Sequence, residues 1–308
     1  MSEQDITETM KSFYGNYSFP GKRPPDRDGL LLLRKFSECV KQLSGKKDAI
    51  RVLDAGCGTG NTTTGLAGKF THAEFLGVDI SDASLKIAAE SAEKAGIHNI
   101  KFMWQNLLEK TGGDEKFDII ICMGVLHHTA SMLTVLSNLR SLLTDEGVLF
   151  LWIYGKHGRY NHSLNMRLLR MLLDATTDEK NETELARQFA ENALNGRVLE
   201  ELAVSYFDRN SEIRDQREVF KSPVWIADQF LNPHEILLDL GELLDLTERA
   251  GFTLQSLPGF RTDISQMLGS EELAERFRLL SEKEKLIAAD LLLKPERYFA
   301  VLNKSGEV

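Results

Sequence analysis

Between residues 50 and 154, short runs that are apolar at nearly every position alternate with stretches whose apolar residues recur at helical spacing. Runs of the first kind suit strands buried on both faces, and their alternation with helices is the pattern of a parallel sheet. The runs predict strands at Arg51–Ala55, Glu74–Asp79, Ile100–Gln105, Asp118–Met123 and Gly147–Tyr154. Between the second and third, SDASLKIAAESAEKAG predicts a helix from near Ser81 to Gly96; between the fourth and fifth, SMLTVLSNLRSLLTDEG predicts another that closes on Gly147. Right-handed crossovers would place these helices on both faces of the sheet.

The flanks have a different rhythm. Residues 1–29 are rich in aromatic, Pro and Gly positions and read as an irregular arm, followed by a helix over Leu30–Leu43 with Leu32, Leu33, Phe36, Val40 and Leu43 at helical spacing. After Tyr154 the strands stop, and 160–221 carry helical stripes, Leu164, Leu168 and Leu172 on one and Leu185, Phe189 and Ala193 on another. Strands resume with FTLQSL at 252–257 and RYFAVLNK at 297–304, the latter preceded by a capping box at Ser281–Glu284. The expected organisation is an α/β, doubly wound, mostly parallel sheet. An N-terminal arm and helix would span 1–48, the sheet core 49–159, a helical insertion 160–240 and the completion of the sheet 241–308. An insertion of that size is well above ordinary connection lengths for compact domains.

Charge and composition narrow the picture. A formal charge of -9 opposes an extended basic surface for nucleic acid. No apolar run reaches membrane-spanning length, and the N-terminal MSEQDITETMKSFYGNY lacks the pattern of a secretory signal, so a cytoplasmic protein is expected. Cys39, Cys57 and Cys122 show no metal-ligand spacing and are expected as buried thiols, with no metal site.

The chemistry concentrates where the strands end. IRVLDAGCGTG, residues 50–60, puts Gly56, Gly58 and Gly60 directly after the first strand, and FLGVDIS closes the second strand on Asp79. Glycines there let a ligand approach the backbone, and a carboxylate ending the next strand can grip a ribose diol. Asp54, just ahead of the glycines, would repel a pyrophosphate but suits an amino acid's ammonium group. A nucleoside joined to an amino acid is S-adenosylmethionine. VLDAGCGTG and GVDIS resemble the first two motifs of class I S-adenosylmethionine-dependent methyltransferases, which implies a seven-stranded Rossmann-like methyltransferase fold and S-adenosyl-L-methionine as cofactor.

The cofactor-binding residues expected on this basis are Asp54, Gly56, Cys57, Gly58, Gly60, Asp79 and Ile80. By resemblance, Asn106 would accept a hydrogen bond from adenine and Leu107 pack on the ring, the alternative for Asn106 being a plain turn residue. FDIIICMGVLHHTASM resembles the fourth motif, where Met123 and Gly124 would line the cofactor by backbone. His127 and His128 could supply a base, or shape the cofactor loop or touch substrate. WIYGKHGRYN brings Tyr154, Lys156, His157 and Arg159 together in sequence as an anion or carbonyl anchor, or as a solvated turn. Tyr154 joins the two histidines as a catalytic candidate. Tyr14, Tyr17, Phe19 and Arg23 in the arm could stack on adenine or clamp a carboxylate, or pack on the insertion. SPVWIADQFLNPHE, with Trp225, Asp228 and His234, resembles a stretch found in bacterial methyltransferases with large helical insertions; its residues could face substrate or cap the chain around Pro233.

The expected reaction is S_N2 methyl transfer to a small-molecule acceptor. A transfer-RNA nucleoside-modifying enzyme, a non-catalytic S-adenosylmethionine-binding protein and an NAD-dependent oxidoreductase remain as alternatives, the last disfavoured by the G-x-G-x-G spacing.

Overall fold

A computed structural model of the chain describes residues 1–20, 27–44, 49–109, 115–173, 179–194 and 221–306. Its centre is a seven-stranded sheet in the order β3-β2-β1-β4-β5-β7-β6. The strands are β1 (Ile50–Ala55), β2 (Ala73–Asp79), β3 (Ile100–Trp104), β4 (Phe117–Met123), β5 (Leu143–Tyr154), β6 (Phe252–Ser256) and β7 (Arg297–Lys304). β1 to β5 pair in parallel, while β7 runs antiparallel between β5 and β6. All seven strands occur where the sequence predicts them; the central ones, such as β4, are apolar at successive positions because both faces are covered, whereas the edge strands β3 and β6 are partly exposed.

Successive residues of β4 point to opposite cores. Ile119 and Ile121 pack with Leu32, Phe36, Leu66, Phe75 and Phe150 under α2 (Arg27–Leu43) and α3 (Asn61–Lys69). Ile120 and Cys122 pack with Leu126, Leu136, Leu139 and Leu151 under α5 (Met132–Leu142). Phe36 has no exposed surface; burying a side chain of that size contributes about 2–3 kcal/mol and fixes α2 to the sheet. α4 (Asp82–Lys94) starts where expected, with the Ser81 hydroxyl accepting from the Ser84 amide as its N-cap.

Three expectations about elements are corrected. The arm is not irregular throughout. Glu3–Asn16 form a helix, α1, opened by a reciprocal capping box between Ser2 and Asp5, and Met10 is buried beneath it. The helix after β4 ends at Leu142 rather than at Gly147. Leu143 already pairs with Phe117, and the register then jumps to Ile119 opposite Val148, so Thr144 to Gly147 form a bulge inside β5. The stripe Leu164, Leu168 and Leu172 lies on the outer face of α6 (Tyr160–Leu172), while His162, Asn165, Met166 and Leu169 face inward. Leu185 likewise points outward from α7 (Glu179–Leu194), whose inner face is Ala186 and Ala190 with Phe189 beside them. The Ala193 side chain is outside the described residues. Helical spacing marks a stripe without fixing which way it turns.

A short helix, α8 (Pro223–Ile226), runs into a π-helical turn at Ala227–Leu231, and Trp225, Ile226 and Phe230 form a small core with Leu169, Ala186, Ala190 and Phe19. α9 (Leu240–Arg249), α10 (Glu271–Arg278) and α11 (Glu282–Leu293) complete the chain, and α11 carries the expected capping box at Ser281 and Glu284. Among the described residues no helix is long and apolar enough to cross a membrane.

Candidate active site

The turn after β1 is fixed by backbone hydrogen bonds to its neighbour. The amides of Gly56 and Cys57 both donate to the Val78 carbonyl, at 2.8 and 2.9 Å. Asp79 accepts the Gly58 amide on one carboxylate oxygen at 2.8 Å and the Ser81 amide on the other at 2.9 Å. This carboxylate therefore ties the glycine turn to the start of α4, and each oxygen keeps a second lone pair. Burial raises its pKa, opposed by these amide bonds.

Two of the glycines are demanded by different neighbours. Gly58 has φ 52°, and a Cβ on it would lie 2.3 Å from the Phe19 carbonyl oxygen of the arm. Gly60 has φ 75°, and its Cβ would strike Ala88 of α4 at 2.7 Å. Gly60 thus permits helix packing and does not line the cavity beside the turn.

That cavity is lined by the other residues expected to hold the cofactor: Asp54, Gly56, Cys57, Gly58, Asp79, Ile80, Asn106, Leu107, Met123 and Gly124. Asp54 is buried, accepts the Thr63 hydroxyl, and has its pKa raised to about 7 by burial, with Asp79 adding to the rise. A buried carboxylate, Asp54, and a partly buried one, Asp79, facing one cavity suit a ligand that brings an ammonium group and hydroxyl donors. S-adenosylmethionine brings both, so the residues fit it. Asn106 serves as a turn residue as well, its amide oxygen accepting the Leu108 amide at 3.1 Å. Burial pushes the Cys57 thiol up and that of Cys122 to about 12, and all three cysteines are free.

The arm closes one side of this cavity with Thr7, Met10, Tyr14, Phe19 and Pro20, of which sequence reasoning found Tyr14 and Phe19. Two bonds hold it there: Thr59 N–H to Phe19 O at 3.1 Å and Ser81 Oγ to Tyr14 O at 3.0 Å.

A second cavity of about 560 Å³ shares Phe19, Pro20, Met123, Gly124 and His128 with the first and extends to Trp152, Tyr154, Arg159, Trp225, Asp228 and Gln229. His128 stands at the junction. Its Nδ1 lies 2.8 Å from the His234 carbonyl oxygen, which can only accept, so the proton of a neutral imidazole sits on Nδ1 and Nε2 keeps a lone pair. Trp152, whose role the sequence left unread, faces the same way as Tyr154 because the two are alternate residues of β5; their rings are 4.8 Å apart.

The remaining candidates separate. His127 is fully buried against Tyr154, its ring nitrogens have no hydrogen-bond partner, and burial holds its pKa well below the usual histidine range. It lines neither cavity. Its nitrogens lie within 4.8 Å of ligand atoms of His128 and Glu235, but Glu235 is engaged by Arg159 at 3.2 Å, leaving its carboxylate already paired. Tyr17 bonds Thr183 on α7 at 3.0 Å, and His234 reaches the Thr129 carbonyl at 3.3 Å; neither lines a cavity. The anchor expected from WIYGKHGRYN divides at the exit of β5. Tyr154 and Arg159 turn inward, whereas Lys156 pairs with Glu242 at 2.9 Å and His157 lies 3.5 Å from Asp290. Arg23 is outside the described residues.

Residues 46–202 match the model of a protein family described as a methyltransferase domain. The chain belongs to that family, and the cofactor motifs and sheet place it among the class I S-adenosylmethionine-dependent methyltransferases. It is 27% identical over 93% of its length to an uncharacterized protein of Synechococcus sp., of which it covers 69%. It is 34% identical, over 39% of its length, to the ubiquinone biosynthesis O-methyltransferase of Pasteurella multocida, of which that match covers 51%. The structure of PKMT2 from Rickettsia typhi, also solved in complex with AdoHcy, shares the fold at a TM-score of 0.63 and 16% identity, over 97% of this chain and 53% of that one. The chain thus spans about half the length of these last two proteins.

Proposed function

We propose that the chain transfers a methyl group to a small-molecule acceptor held in the second cavity, with His128 at the junction receiving the acceptor's proton. The observation that carries this reading is the 2.8 Å contact of His128 Nδ1 with the His234 carbonyl oxygen, which leaves the Nε2 lone pair available on a residue that lines both cavities. Bound S-adenosylmethionine supplies an electrophilic methyl group. Asp54 and Asp79 bind its ammonium group and ribose, the glycine turn admits it close to the backbone, and Asn106 and Leu107 flank the adenine. The backbone of Met123 and Gly124 lies beside the transfer point. α1, the segment through Pro20 and the 222–235 stretch cover the site and keep water out, which limits loss of the methyl group to hydrolysis. Because both reactants are held in one geometry, positioning supplies much of the rate.

The name of the Pasteurella relative supports an oxygen acceptor, but that match covers 39% of the chain, so it carries the reaction class better than the acceptor. The net charge of -9 favours a small molecule over transfer RNA. Calorimetry with S-adenosylmethionine, S-adenosylhomocysteine and NAD tests the reading. The first two bind and NAD does not; binding of NAD in their place would overturn it.

A further inference from the structure

Asp228 is a buried carboxylate that faces the second cavity, 5% exposed. One oxygen accepts the Tyr14 hydroxyl at 3.1 Å and the other the Gln229 amide at 2.8 Å. Both donors are neutral. Tyr14 stays protonated because burial, and then the charge of Asp228, push its pKa well above the usual phenol range. Gln229 also donates to the Tyr154 hydroxyl at 2.8 Å and accepts from Arg159 at 3.2 Å.

Arg159 does not neutralise Asp228. Its guanidinium is paired with Glu235 at 3.2 Å and lies over the Tyr154 ring at 3.5 Å from the centroid. Arg297, which lines the cavity with Glu296, lies over the Trp152 ring, 6.0 Å from its centroid. Among the described residues no lysine, arginine or histidine forms an ion pair with Asp228. An ionised carboxylate has about four acceptor positions, and here two are filled. A buried charge met only by neutral donors is costly, and a ligand that brings a cation relieves the cost. Trp152, Tyr154 and Trp225 line the same cavity; Tyr154 and Trp152 each already have a guanidinium near the ring, and the aromatic surface that remains attracts cations electrostatically.

We propose that the methyl acceptor carries an organic amine, bound as its ammonium by Asp228 between these aromatic walls. The proposal rests on the second cavity being the acceptor site, and it makes Asp228 a specificity residue. The glycine turn and Asp79 belong to the cofactor alone, so the two assignments separate experimentally.

The test uses the full chain saturated with S-adenosylhomocysteine and three probes of one shape: 2-phenylethylamine, 2-phenylethanol and phenylacetate. Affinity is read by tryptophan fluorescence and by ligand-observed NMR. The ammonium probe is expected to bind about tenfold tighter than the alcohol, as for a charge-assisted bond gained in a buried site, with the anion weakest. Asp228→Asn abolishes that ranking. Should the variant not fold, the ranking on the unaltered chain decides. Equal binding of the three probes, binding of none, or an ammonium preference that survives in Asp228→Asn overturns the proposal. Failure of S-adenosylhomocysteine itself to bind overturns the methyl-transfer reading instead.

Discussion

The two halves of the site are built in opposite ways. The cofactor half is local: Asp54, Gly56, Gly58 and Asp79 come from two neighbouring strands and the turn between β1 and α3, held by backbone amides. The half proposed for the acceptor is assembled from a distance. Its network joins Tyr14 of α1, Tyr154 at the end of β5, and Asp228, Gln229 and Asn232 near α8, with Tyr14 and Asp228 separated by 214 positions. Backbone geometry defines the first half and side-chain packing the second. The first should therefore fail sharply under single substitutions and the second gradually.

The largest effect is expected at Gly58. Valine there must adopt a left-handed backbone and strikes the Phe19 carbonyl 2.3 Å from its Cβ position, so the glycine turn and the arm cannot both keep their places. A cost of about 3 kcal/mol, roughly 100-fold in S-adenosylhomocysteine affinity, is the expected size. Near-normal affinity in calorimetry would show that the arm yields freely, and the sharp boundary between the halves would blur.

Asp79→Ala comes next. It releases the Gly58 and Ser81 amides and, on the proposed role of Asp79, removes its charge-assisted bonds to the ribose, for an expected loss of about 2–3 kcal/mol in cofactor affinity. Thermal unfolding of the free protein separates the contributions, since only the amide bonds affect it. An unchanged affinity removes Asp79 from the cofactor site.

This contrast also accounts for what the sequence discloses. The central strands are legible because burial on both faces forces apolar runs, and the glycine turn because its residues lie close together in one βαβ unit. α1 is missed in the sequence: Ser2 and Asp5 form its capping box, but the aromatic and glycine content of the segment reads as an irregular arm. His157 and Arg159 are two residues apart in a turn, and only the folded chain sends one to Asp290 and the other to Glu235. The outward stripe on α6 misleads for a related reason. Its inner face carries the buried His162 and Asn165 beside Met166 and Leu169, with His162 edge-on to Phe230 of the small core, so polarity gives no clue to direction. Gly60 sits in the motif for the sake of Ala88, a contact invisible without α4 in place.

A pH series probes the cofactor half more gently. Burial raises the Asp54 pKa to about 7, so the free site is protonated below that value. The ammonium group needs the ionised form, and affinity for S-adenosylhomocysteine should rise about tenfold between pH 6 and 8, an effect absent in Asp54→Asn. Stability of the free protein moves the other way. The folded pKa lies above the unfolded value of about 4, so the Asp54 contribution is complete below that value and is lost as pH rises to about 7. A flat affinity profile would detach Asp54 from the ammonium group.

The smallest effect on the cofactor is expected from Tyr14→Phe, although Tyr14 lines both the cofactor cavity and the acceptor network. Its hydroxyl donates to Asp228 and accepts from the fully buried Asn232, each at 3.1 Å. Without it, the Asn232 amide loses a partner in a place water does not reach, at a cost of about 1–2 kcal/mol, or roughly 2–4 °C in melting temperature. The contacts that hold the arm against the cofactor turn use its backbone instead: the Tyr14 carbonyl accepts from Ser81, and the Phe19 carbonyl from Thr59. Phenylalanine leaves both intact, so affinity for S-adenosylhomocysteine should change by less than about threefold, under 0.7 kcal/mol. A loss matching that of Asp79→Ala would mean that the side-chain network carries the arm, and that the halves respond as one unit.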